Sequence, residues 1–129
     1  MFFLQFGIGY LITIFIESFV LFFGLSARHK RRHRLIAGIW LSSCTLPLVW
    51  FVFPYCFDRT KHETAYLIAS ETFAPVAECL LFWLAFGKTE PRTRSALFQD
   101  MLVIIAANIA SFGIGLELEY RGFWKWIGF

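Results

Sequence analysis

Basic residues are missing from the first 27 positions, charged residues make up only 16% of the 129, and cysteine occurs three times. Each shortage excludes something. A secretory signal requires a positive segment ahead of a short apolar core and a cleavage site. Here the first Lys or Arg is Arg28, and it follows a long apolar run that already contains Glu17. The run therefore reads as a retained helix, although Gly24-Leu25-Ser26-Ala27 has the small residues of a weak cleavage site. The scarcity of charge, against 58% hydrophobic residues and 17 Phe, excludes an ordinary soluble domain of this size. Three cysteines are an odd number with no Cys-x-x-Cys pair, so neither a disulfide framework nor dithiol chemistry is expected. Cys44 and Cys79 read as small apolar residues inside helices. Histidine is absent from every apolar stretch. Without it there is no base beside a nucleophile and no set of three metal ligands, so the chain is not expected to be an enzyme or to hold a metal or cofactor.

Four apolar stretches account for most of the chain: Phe2 to Leu25, Ile36 to Phe57, Ala65 to Phe86 and Phe98 to Leu116. Each is near the roughly 20 residues that a helix needs to cross a bilayer. The remaining pieces are too short for a soluble domain or a Gly-rich phosphate loop. The expected fold is an all-α integral membrane protein, one domain over residues 1–129, with four transmembrane helices in a compact bundle.

Loop charge orients such a bundle, because Lys and Arg in short loops resist translocation. Loop 26–35 carries Arg28, Lys30, Arg31, Arg32 and Arg34, and loop 87–97 carries Lys88, Arg92 and Arg94. The opposite side has Arg59, Lys61, Arg121 and Lys125. Eight against four predicts cytoplasmic loops at 26–35 and 87–97, with both termini outside; the membrane expected is a bacterial inner one. The basic run of the first loop is expected to meet anionic lipid headgroups through Arg28, Lys30, Arg31, Arg32 and Arg34. Nucleic-acid binding is not expected, because one tethered loop supplies no recognition element. His29 and His33 stand one helical turn apart, but five neighbouring cations oppose a shared metal. Trp40 and Trp83 fall near the inner ends, and Tyr55, Tyr66, Tyr120, Trp124 and Trp126 near the outer ends, as interface residues do. The tail 123–129 is too short to span and is expected in the outer headgroup layer.

Helical spacing gathers polar or small residues on one face of each stretch. The faces are Tyr10, Thr13, Glu17 and Gly24; Gly38, Ser42 and Thr45, with Ser43 beside them; Glu71, Ala74 and Glu78; and Ile104, Asn108, Ser111 and Gly115. Ala107, Ser111 and Gly115 also form a small-residue series that permits close backbone approach. Most of this serves packing, but an acid at mid-membrane costs about 2.5 to 3.5 kcal/mol of insertion free energy. Two glutamates and Pro75 cancel much of the third stretch's hydrophobicity, so partners must hold it. Glu17 and Glu78 each lie eight residues before the inner end of their stretch, about 12 Å deep, and are level with each other. Ser42 and Ser43 reach the same level, and Glu71 is two turns further out. With no Lys or Arg at that depth, the carboxyls must share a proton or meet an external cation or a partner's basic group. The expected site is Glu17, Glu71 and Glu78 with Asn108, Ser111, Ser42 and Thr45 as neutral ligands. It binds or transports a proton, a cation or a cationic ligand. The alternative is a non-catalytic accessory or assembly subunit whose glutamates pair with a larger partner. Either reading implies a homo- or hetero-oligomer in the bilayer.

Overall fold

The computed structural model describes residues 2–58 and 60–128. Met1, Arg59 and Phe129 lie outside them, and with them one of the basic residues of the second loop and the last residue of the tail. The chain folds as an all-helical bundle. Its helices are α1 (Phe2–Gly24), α2 (Arg31–Cys56), α3 (Glu63–Phe86), α4 (Arg94–Tyr120) and a terminal turn, α5 (Phe123–Trp126). The first four are long and apolar enough to cross a membrane. Their outward surfaces are those of lipid-facing helices: Phe15, Phe19 and Phe23 on α1, Leu80 and Leu84 on α3, and Ile105 and Ile109 on α4 are all exposed.

Three helices outrun their apolar stretches, α3 by only the two residues Glu63 and Thr64. α2 begins at Arg31 and so takes in Arg31, Arg32, His33 and Arg34, and α4 runs from Arg94 to Tyr120. Hydropathy marks the part of a helix that suits hydrocarbon, whereas the hydrogen-bond ladder continues until a cap or turn stops it. Thr93 sets the start of α4 by accepting from the Ala96 N–H at 3.1 Å. Gly122, at φ +71°, ends the run beyond α4 and turns the chain into α5. In the connection between α2 and α3, the Thr60 hydroxyl and N–H bind Asp58 and hold its carboxyl below the usual range.

α2 is not regular throughout. Pro47 has no N–H to continue the ladder, and Leu48–Val52 form a π turn in which the Phe53 N–H reaches back five residues to the Leu48 carbonyl. The residue five beyond Val49 is Pro54, which cannot donate. The Tyr66 hydroxyl of α3 donates to the Val49 carbonyl instead, at 3.1 Å, satisfying a group that would be costly to strand in a membrane.

Two glycines set close crossings. A Cβ on Gly38 of α2 would lie 2.6 Å from the Ser18 Cα of α1, and one on Gly24 of α1 would lie 2.7 Å from Val103 of α4. Gly115 behaves differently from its place in the small-residue series. Nothing lies within 4 Å of its Cβ direction, and it lines a cavity rather than a helix contact.

Candidate functional site in the bundle interior

From one end of the bundle to the other, the interior falls into three layers. At the end that carries both termini, a cavity of about 380 Å³ opens between the helices. Phe2, Trp50, Glu119 and Trp124 stand at its mouth, and Glu17, Thr45, Glu78 and Asn108 at its floor. Below the floor, Leu21, Leu25, Ala37, Leu41, Phe82, Ile104 and Ala107 close the interior, each at most 3% exposed. At the basic-loop end, Asp100 is buried among Ser26, Arg28 and His29.

The floor is built from all four long helices. Glu17 of α1 accepts from Ser42 of α2 at 2.5 Å and from Ser111 of α4 at 2.8 Å. Glu78 of α3 accepts from Thr45 of α2 and from the Asn108 side-chain amide of α4, both at 2.7 Å. Helical spacing makes this possible. Ser42 and Thr45 are three residues apart on one face of α2, as Asn108 and Ser111 are on α4, so each helix serves both carboxylates. All four carboxylate oxygens receive one neutral donor. Glu17 is 3% exposed and Glu78 2%, and neither is paired with a cation among the described residues.

The hydroxyls have a second acceptor within reach. Ser42 also lies 2.9 Å from the Gly38 carbonyl, Thr45 3.2 Å from that of Leu41, and Ser111 3.0 Å from that of Asn108. A hydroxyl has one proton to donate. When a carboxylate is charged the hydroxyl turns to it. When the carboxyl is protonated it becomes the donor, and the hydroxyl turns to the backbone. The floor can therefore hold zero or one added proton per carboxyl with the same heavy-atom positions.

Six of the seven site residues expected from the sequence are thus joined by hydrogen bonds. The seventh, Glu71, stands on the cavity wall of α3 with no hydrogen bond or ion pair among the described residues. Pro75, four residues on, also withholds an N–H from its carbonyl. Tyr10 and Ser43, expected on the polar faces, bind each other at 2.7 Å outside the floor.

Sequence reasoning missed the third layer. Asp100 is 0% exposed. Its oxygens accept from the Ser26 N–H at 2.7 Å, from Arg28 Nε at 3.0 Å and Nη2 at 2.8 Å, and lie 2.9 Å from His29 Nε2. Arg28 Nη1 also donates to the Thr89 carbonyl, at 3.0 Å, so both basic loops are fastened to α4. This corrects the expectation that the whole basic run faces headgroups. The Arg28 side chain is 2% exposed, and Arg34 is spent on the carbonyls of Phe22, Ser26 and His29. Lys30, Arg31 and Arg32 remain exposed. Among the described residues no group of three His, Cys, Asp or Glu is placed to hold a metal ion.

Comparison with protein-family models, curated proteins and solved structures finds no match to this chain.

Proposed function

We propose that this chain is a non-catalytic membrane protein whose cavity binds or transports a proton, a cation or a cationic ligand, with Glu17 and Glu78 as the acids at its floor, Glu71 on its wall, and Ser42, Thr45, Asn108 and Ser111 as their neutral partners. The observation that carries this reading is the pairing of two deeply buried carboxylates with neutral donors alone, at the bottom of a cavity lined by no Lys, Arg or His among the described residues. Ionisable groups inside a membrane are costly and mark ion or substrate paths. Here the missing positive charge has an open route in from one end.

The eight-to-four bias of basic residues supports an orientation with loops 26–35 and 87–97 cytoplasmic, so that the cavity opens outward. Lys30, Arg31 and Arg32 then lie where anionic headgroups are. Single cysteines at residues 30 and 92 are expected to resist an impermeant thiol reagent applied from outside intact cells, and strong labelling there would reverse the orientation.

The second reading is an accessory subunit that docks a larger partner. The little-buried faces of the four spans favour it, although a partner's basic side chain would have to enter the cavity to reach the glutamates. One experiment separates the readings. In proteoliposomes the parent is expected to exchange internal protons for external cations, read with an entrapped pH dye. The E17Q/E78Q variant is expected to express at least as well and to lose that flux. No flux from the parent, with a copurifying partner that the variant loses, would select the subunit reading. Unchanged flux and unchanged partners in the variant would overturn both.

A further inference from the structure

We infer that the cavity's ligand is an organic ammonium ion, a positively charged nitrogen carrying an apolar body, with Glu71 as its counter-charge and the indoles of Trp50 and Trp124 as its aromatic wall. This rests on the cation-binding reading above and names the class of cation.

The first ground is the division of labour among the three acids. Every oxygen of Glu17 and Glu78 already accepts a hydrogen bond from this chain. Glu71 accepts none among the described residues, and it lies seven residues, about 10 Å, nearer the mouth than Glu78. Of the three, it is the carboxylate with its acceptor capacity unspent. The second ground is size. A cavity of about 380 Å³ falls in the range of small-molecule sites, roughly 300–1,000 Å³, and is far larger than a bare ion. Hard divalent cations want about six to eight oxygen ligands, and the described residues offer no cluster able to hold a metal.

The third ground is the wall. Trp50 and Trp124 converge on α1 at Gly9, where an added Cβ would meet them at 3.4 and 3.8 Å. Phe6, one turn before Gly9 on α1, also packs against Trp50, at 5.4 Å between ring centroids, and Phe112 lines the same cavity. Aromatic faces attract cations, Trp most strongly, and the attraction grows where water is excluded. Such a wall has no use for a proton or a hydrated metal ion. It suits a cation with apolar substituents, which sheds its weakly held water at small cost. Glu119 at the mouth and Glu71 within keep the same sign of charge along the way in.

The test uses the full chain in nanodiscs with radiolabelled benzyltrimethylammonium as the probe. Saturable binding is expected, displaced by the unlabelled cation but not by neopentylbenzene, its uncharged isostere, nor by sodium, potassium or calcium at equal concentration. Glu71→Gln is expected to weaken binding at least tenfold and Trp124→Leu severalfold, with thermal unfolding of the Gln variant unchanged because Glu71 holds no hydrogen bond among the described residues. Absence of saturable binding, equal affinity in E71Q, or equal displacement by neopentylbenzene would overturn the inference. Proton and inorganic-cation uptake measured on the same nanodiscs tells the two levels apart. Uptake that depends on Glu17 and Glu78 without benzyltrimethylammonium binding would sink only the ligand class, whereas absence of both would sink the cation site as well.

Discussion

Asp100 and Glu78 are almost equally buried, at 0% and 2% exposed, yet their partners are of opposite kinds. Asp100 has a guanidinium, an imidazole and a backbone N–H around one carboxylate. Glu78 has a hydroxyl and an amide, and Glu17 has two hydroxyls. The first acid carries its counter-ion within the fold, so it has nothing left to attract and serves to tie two loops to α4. The other two are solvated but not neutralised, and they face a cavity. Between the layers lies about 12 Å of packed Leu, Ile, Ala and Phe, judged from the eight residues that separate Asp100 from Asn108 on α4. A buried acid is thus read by the charge of its partner rather than by its depth.

The sharpest way to break this contrast is to remove the negative charge at the ion-paired layer. Asp100→Asn leaves Arg28 buried and unpaired, and breaking a buried pair from one side costs about 3 to 5 kcal/mol. The expected outcome is loss of most of the folded, detergent-soluble protein, followed by thermal unfolding. Replacing both partners, Arg28→Met with Asp100→Leu, is expected to restore much of that loss, since no charge is then stranded. An Asp100→Asn protein as stable as the parent would show that the two layers do not differ in kind.

At the other extreme lies the floor. Ser111→Ala removes one neutral donor of two from Glu17, and hydrogen bonds of this type within membranes average about 0.6 kcal/mol. A barely measurable shift in unfolding temperature is expected. A loss as large as that of Asp100→Asn would mean that the floor holds the bundle together rather than waiting for a ligand.

What the sequence made legible follows from the physics of each contact. Equal depth for Glu17 and Glu78 came from counting residues along a fixed rise. Ser42, Thr45, Asn108 and Ser111 came from the helical period, because neighbours across a bundle share a level. Asp100 escaped because its basic partners lie in a loop. The same basic residues served as a topology signal, and nothing in periodicity links Arg28 to a residue 72 positions away. Asp100 is nonetheless an acid just inside an apolar stretch. Asking which basic side chain can reach it would have pointed to the first loop. The role of Tyr66 was illegible for another reason: it answers a carbonyl that only the π turn and Pro54 leave without a helical donor.

That π turn also governs how the face of α2 is to be followed. A regular helix would continue the row Gly38, Ser42, Thr45 through Val49, Val52 and Cys56. The widened turn holds one residue more than an α-helix would in the same span, and one residue is about 100° of rotation. Val49 still lines the cavity, but Val52 is 45% exposed and Cys56 faces outward, while Phe53 turns toward Phe73 of α3, 5.0 Å between ring centroids. Past Pro47 the helical wheel must be reset by one position. The thiol of Cys56, which an unbroken wheel would aim at the interior, is therefore carried to the outside of the bundle.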